Sequence, residues 1–343
     1  MHMANELLSL PVAFGAFAIA GTGLGVICKK AKRLLESDKL ALMGVLGAFV
    51  FAAQMVNFQL PVMPGTSGHM VGAVLLAIIL GPYAAAIALS SVVIIQCLIF
   101  QDGGLLALGC NIINIALVPV CVGYGVYRQL IHTNRNGFRP HLTAMLACII
   151  GVEAGAVLVP IEASLSGVLV VPIKTFMLTM IGVHLLVGII EGIITIAVLE
   201  YLRQVRPGLF INPLPGKTRL GTKTLIATFA VAAVIIGTGL SLLASGLPDG
   251  LEWSYAQKPE QPDFRPMVEN HDAKVAAIDD FQTKYTPLPD YSVRTSRLGS
   301  VARQKTDNAA AWTSFAAVVG SSLTMALIWL IAGVVRKAKP ASA

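Results

Sequence analysis

Residues 70–100 read MVGAVLLAIILGPYAAAIALSSVVIIQCLIF. A helix needs roughly twenty apolar residues to cross the hydrocarbon core of a bilayer, so this run is too long for one ordinary crossing. Gly81-Pro82 stands in its interior, where proline removes a backbone donor and glycine loosens the chain. The run is either one kinked helix or two helices joined by a tight turn, and charge decides between them. The clusters KKAKR at 29–33, RQLIHTNRNGFR at 128–139 and RQVRPG at 203–208 should all face the cytoplasm, where basic loops are retained. With the first residue outside, one crossing brings Lys29 inside and a second returns the chain to the outside near Pro61. Arg128 then reaches the cytoplasm only if residues 70–100 cross twice. The reading is two short helices, with seven crossings up to Arg203 and two more before RKAK at 336–339.

The other apolar runs, near 8–28, 40–60, 103–127, 142–160, 172–202, 224–246 and 310–335, supply the remaining crossings. The chain is 55% hydrophobic and 13% charged, with a mean hydropathy of +0.75. That excludes a soluble domain, which carries about a quarter charged residues. The net charge of +7 sits in short clusters beside apolar runs, so it reports topology and not nucleic-acid binding. Cys28, Cys97, Cys110, Cys121 and Cys148 lie in or at the ends of apolar stretches without metal-ligand spacing, and read as small core residues. The fold expected is an all-α integral membrane protein. A seven-helix body occupies 1–209, a cytoplasmic linker 210–223, and a two-helix appendage 224–343. The polar stretch 247–309 of the appendage reads as a small, partly ordered external segment. GKT at 216–218 is not a phosphate loop, because Ile211 stands where the first glycine would be and no strand precedes it.

The chain starts MHMANELLSL, which has no basic n-region of a secretory signal. His2 is therefore expected to stay two residues from a free amine, and its bulk favours retention of Met1. An amine, the next amide nitrogen and the imidazole of residue 2 can chelate one metal through a five-membered and a six-membered ring. A deprotonated amide is a strong-field donor, so the set prefers square-planar Ni(II) or Cu(II), or low-spin Co(II), over tetrahedral zinc. His69, in PGTSGH on the same external face, could complete it. Spacing alone leaves the alternatives open that His2 is a frayed end and that His69 caps a helix. Met3, Met55, Met63 and Met70 cluster near the same mouth, as core residues or soft donors. Gln54, Asn57, Gln96, Asn111, Asn114, Glu153, His184 and Glu191 interrupt apolar runs, where polar groups either join helices or line a cavity. Ala16 and Ala20 give the first helix a small face that another helix, internal or foreign, can approach closely.

MH at the start, GTSGHMVGAVLLAIILGPYAA at 65–85, GCNIINIALVP at 109–119, HLLVGIIEGIIT at 184–195 and SGLPDGLEWS at 245–254 together resemble the NikM/CbiM substrate-binding membrane subunit of energy-coupling-factor nickel and cobalt transporters. The last motif is similar to the small NikN/CbiN subunit, fused here behind the body. The resemblance implies a metal site made by the Met1 amine, the His2 amide and imidazole, and the His69 imidazole. Asn111, Asn114, His184 and Glu191 are then candidates to support it, and Ala16 and Ala20 candidates to contact a coupling subunit. It implies a substrate-specific component, with Ni(II) or Co(II) as cargo and no cofactor. Its partners would be a NikQ/CbiQ-like transmembrane coupling subunit and NikO/CbiO-like cytoplasmic ATPases. It would be a multi-pass protein of the cytoplasmic (inner) membrane with an external N-terminus and a cytoplasmic C-terminus. Family members commonly continue MHI with PDG where this chain has Met3-Ala4-Asn5-Glu6, so the turn behind the ligands is expected to differ. The fused N-like part favours nickel over cobalt. A metalloenzyme is disfavoured because HExxH is absent, and a vitamin-binding relative because aromatics are only 7%.

Overall fold

The computed structural model describes residues 1–32, 37–60, 63, 65–133, 139–209, 220–255, 266–292 and 309–337. GKT, most of the expected linker (210–219), and residues 256–265 and 293–308 of the expected external segment lie outside the described residues. The protein is all-α apart from one two-residue ladder, β1 (Phe58–Gln59) against β2 (Ser67–Gly68), paired antiparallel with Phe58 opposite Gly68. After a short helical turn at Asn5–Leu7, α1 (Leu10–Ala31) has Pro11 in its first turn, where no donor is lost, and Lys29 and Lys30 in its last, where the dipole favours cations. The body continues with α2 (Ser37–Gln54), α3 (Ala73–Leu80) and α4 (Pro82–Phe100). It then runs through α5 (Leu108–Asn111), α6 (Val118–Thr133), α7 (Arg139–Ala156), α8 (Leu158–Leu165) and α9 (Ile173–Val205). The appendage contributes α10 (Thr222–Thr238), α11 (Gly250–Tyr255), α12 (Ala273–Tyr285) and α13 (Ala309–Lys337). Among the described residues seven helices are long and apolar enough to cross a membrane, and α2 offers a shorter apolar stretch.

Residues 70–100 do break into two helices, at Gly81 with φ of +84°. Both are short, as expected, but unequally so, and the first alone is not a full crossing. α3 has eight residues, about 12 Å of helix against a core of about 30 Å. Its end lies on the same side as the end of α1, because the Lys30 ammonium stands 5.7 Å above the Tyr83 ring. The outer part of this passage includes residues 55–60 and 65–72, with the ladder between them. Irregular backbone at membrane depth must have its polar groups satisfied by protein. Glu191 of α9 does this for the start of α3, accepting from the N–H groups of Val71 (2.7 Å) and Gly72 (3.1 Å). Gln54 donates to the Val71 carbonyl at 2.7 Å. Gly72 adopts φ of +78°, and a Cβ there would stand 2.8 Å from Val50.

The appendage packs on the body through α2, which lies between α10 and α13. Trp329 and Ile328 of α13 fill the space that side chains at Gly44 and Gly47 would need. On α1 the small face is used inside the chain. Ala16 and Ala20 are 6% and 2% exposed, and a Cβ on Gly109 would stand 2.6 Å from the Phe17 nitrogen. Of the two partners left open for this face, an internal one is present: α5 packs there, and Phe14, Phe17 and Ile19 are what α1 presents outward.

Candidate metal centre

The first eight residues enter the body and are held there by backbone pairing. Met3 is fully buried. Its N–H donates to Asn111 Oδ1 at 2.7 Å, and its carbonyl accepts from Asn111 Nδ2 at 3.1 Å and from the Gly104 N–H at 2.8 Å. The groove exists because Gly103 and Gly104 lack side chains: a Cβ on Gly103 would stand 2.7 Å from Asn111 Nδ2 and 3.4 Å from the His2 Cβ. Asn5 takes over the turn where the family pattern has PDG. Its Oδ1 accepts from the Leu106 N–H at 2.8 Å, and its Nδ2 donates to Asp279 (2.7 Å) and Gln282 (2.9 Å). Asn114 sits in a π-helical stretch, Ile112–Leu117, which gives the helix one wide turn here. Its Nδ2 donates to Glu162 at 2.6 Å and approaches the Met3 sulfur at 3.5 Å.

Met1 and His2 consequently lie inside the protein, 4% and 7% exposed. The Met1 amine donates to Asp249 Oδ2 at 2.6 Å. The His2 ring has Asp102 Oδ1 3.1 Å from Nδ1 and Gln96 Oε1 3.1 Å from Nε2. It stacks on His69 with centroids 5.4 Å apart and planes 24° apart. His69 points its Nδ1 at the Met70 carbonyl, 3.0 Å away. A backbone acceptor at Nδ1 leaves the lone pair on Nε2. Burial, and then the neighbouring amine and His2, push the His69 imidazole down to about 4, so it is neutral at physiological pH. Burial also lowers His2, against the pull of Asp102. Burial alone would raise Asp249, but the amine and the Glu252 N–H hold it well below the usual carboxylate range.

Beside these groups is a cavity of about 10 Å³, lined among others by Met1, His69, Val71, His184, Asp249 and Gly250. That is about the least space that admits one water. Among the described residues no three His, Cys, Asp or Glu side chains stand close enough to hold a metal by themselves. The candidate set differs in kind, because two of its four nitrogens are backbone atoms of Met1 and His2.

The structure thus brings Met1, His2 and His69 together, with Asn111 on the backbone just behind them and His184 on the cavity wall. Glu191 reaches the loop only through the start of α3, and Asn114 faces Met3 and Glu162. Met55 and Met70 are core residues. Sequence reasoning missed Asp102, Asp249, Tyr291 and Gln282. Tyr291 donates to Asp102 Oδ2 at 2.5 Å and stacks on Phe100 at 4.7 Å. Gln282 donates to the Cys97 and Gly103 carbonyls and accepts from the Leu105 N–H. Asn270 donates to the Glu6 and Leu8 carbonyls. The part of the external segment that is described is therefore folded onto the N-terminal residues. Its strong signal in the sequence was local: Asp249 precedes α11 and Asp272 caps α12 through the Lys274 N–H.

The profile described as cobalt uptake substrate-specific transmembrane region matches residues 2–209, and that of the PDGLE domain matches 223–337. The chain is 37% identical over 269 residues to a putative fused nickel transport protein NikMN of Archaeoglobus fulgidus, covering 77% of this chain and 88% of the relative. It is 32% identical to a probable fused nickel transport protein LarMN of Lactiplantibacillus plantarum, covering 74% and 78%. A crystal structure of a transition metal transporter superposes with a TM-score of 0.54 at 32% identity, covering 60% of this chain and 93% of that one.

Proposed function

The chain belongs to the CbiM family of cobalt uptake substrate-specific transmembrane proteins, and from that premise we propose that it is the substrate-specific component of a nickel uptake transporter. It is a multi-pass membrane protein of nickel and cobalt transport, not an enzyme. The observation that carries the finer reading is the burial of Met1 and His2 against His69, beside a small cavity lined by Met1 and His69. The Met1 amine, the His2 amide nitrogen and His2 Nδ1 take three corners of a square-planar Ni(II) site, and His69 Nε2 takes the fourth. Binding needs His2 Nδ1 to leave Asp102. The amine can keep Asp249, since a coordinated NH2 group still carries hydrogens to donate. Cobalt is the second reading, favoured by the description of the family itself. Nickel comes first because three relatives whose match extends beyond the body, over 269, 266 and 267 residues, are named for nickel.

The work of transport falls to partners: a coupling subunit in the membrane and cytoplasmic ATPases of the NikQ/CbiQ and NikO/CbiO kinds. Residues 1–9 and the folded part of 245–292 face outside, and the basic end of α13 faces the cytoplasm. The test is Ni(II) and Co(II) binding to detergent-purified protein that starts at Met1, beside a version with two residues added before it. A square-planar d–d band and loss of binding on extension are expected. Equal binding by both forms overturns the site.

A further inference from the structure

His184 is the titratable group on the cavity wall that the four-nitrogen site does not use. It comes from α9, the helix that also supplies Glu191, and is 3% exposed although it lies within an apolar span. An ionisable side chain placed there at a cost in free energy usually has a functional partner. Its Nδ1 is 2.8 Å from the Met180 carbonyl, one turn back on the same helix. That contact fixes the tautomer with the proton on Nδ1 and leaves the lone pair on Nε2, as in histidines that ligate metals. His69 is held the same way, by the Met70 carbonyl. The two imidazoles line one cavity together with the Met1 amine and Asp249. Val183 and Val187 wall it on either side of His184, so no other donor from α9 faces it.

We propose that His184 Nε2 is a fifth donor to the bound cation and sets the balance between nickel and cobalt. The inference rests on the four-nitrogen reading above: with the four corners of the plane taken, the position left for a further nitrogen is apical. Low-spin Ni(II), with eight d electrons, keeps its axial orbital filled in a planar field and gains little from an apical donor. Low-spin Co(II), with one electron fewer, holds its unpaired electron in that axial orbital and binds an apical nitrogen well. An imidazole on the cavity wall therefore lets a nickel-preferring plane accept cobalt, and its reach decides how well. Geometry, not intrinsic affinity, does the selecting.

The test uses the full chain starting at Met1, loaded with Co(II) alone or Ni(II) alone. In the unsubstituted protein, electron paramagnetic resonance of the cobalt form should show each parallel line split into a triplet by one axial nitrogen. In His184→Leu the triplet should vanish and Co(II) affinity should fall by about tenfold, while Ni(II) affinity stays within about twofold. His184→Asn, which can keep a hydrogen bond to Met180, should behave like the leucine variant. A structural role alone would move both metals together and leave the cobalt spectrum unchanged. Absence of the triplet in the unsubstituted protein, or an equal loss for both metals, overturns the fifth donor and leaves the planar site standing. Binding that survives extension of the N-terminus overturns the planar site and this inference together.

Discussion

The body and the appendage hold the same eight residues by different means. The body holds Met3 with neutral groups and His2 with neutral groups and one carboxylate: Asn111 brackets Met3 on both sides of its peptide, the Gly104 N–H and the Leu106 N–H complete the pairing, Gln96 and Gln54 run from His2 to the Val71 carbonyl, and Asp102 faces His2 Nδ1. The appendage puts charge on the amine itself, through Asp249, and adds neutral donors around it: Tyr291 to Asp102, and Asn270 to the Glu6 and Leu8 carbonyls. On the proposed four-nitrogen site, the neutral bracketing would fix where the ligands are, and Asp249 would fix how the amine is oriented and how readily it gives electron density to a cation. The appendage would then be part of the site's chemistry, and each half can be broken separately.

The largest effect is expected from the body's own corner. His69→Ala should abolish Ni(II) binding and uptake while membrane insertion, followed by detergent extraction and monodispersity, is unchanged. Next is Asn111→Leu, which leaves both the Met3 N–H and carbonyl short of a partner in a buried site. Affinity measured by titration calorimetry should fall by roughly ten- to a hundredfold, the usual cost of losing an outer-shell support. Asp249→Asn tests the appendage's charge: the amide keeps the shape and loses the ion pair, and binding should weaken by about tenfold. An unchanged affinity there would reduce the appendage to a cover. Tyr291→Phe should be the smallest, about threefold, because only one hydrogen bond to Asp102 is lost and Asp102 is not itself a ligand. Glu269→Ala, exposed on the same segment and 3.6 Å from His271, should change nothing.

Much of this was legible in the sequence, for reasons that also mark its limits. Gly81-Pro82 and the basic clusters located the break in residues 70–100, because proline chemistry and loop charge are local signals. That α3 is only eight residues long was not legible. Hydropathy scores apolar content and cannot see that Glu191 and Gln54 satisfy the backbone of Val71 and Gly72. Chelate-ring geometry offered Met1 and His2 as donors but left His69 open, and the resemblance to the family implied the full set; the structure places the three residues together. Asp249 and Tyr291 were not, because both lie in a polar stretch whose composition reads as weakly ordered, and their partners are 248 and 189 residues away. Ala16 and Ala20 announced a close approach, but small-residue spacing does not say which helix approaches. Gly109, itself small, answered that from within the chain.

The eight-residue helix α3 starts at the cavity, and the start of a helix is where a protein ordinarily receives an anion: its free N–H groups and its dipole present positive charge. Val71 and Gly72 would give such a receptor here, turned toward a cation's seat. Glu191, 120 residues along the chain from Val71, spends both its oxygens on those two N–H groups. One buried carboxylate thus reverses the sign of what that end of the helix welcomes. Replacing it would leave two unpaired N–H groups beside the cavity, an electrostatic rival to any cation held at the proposed site.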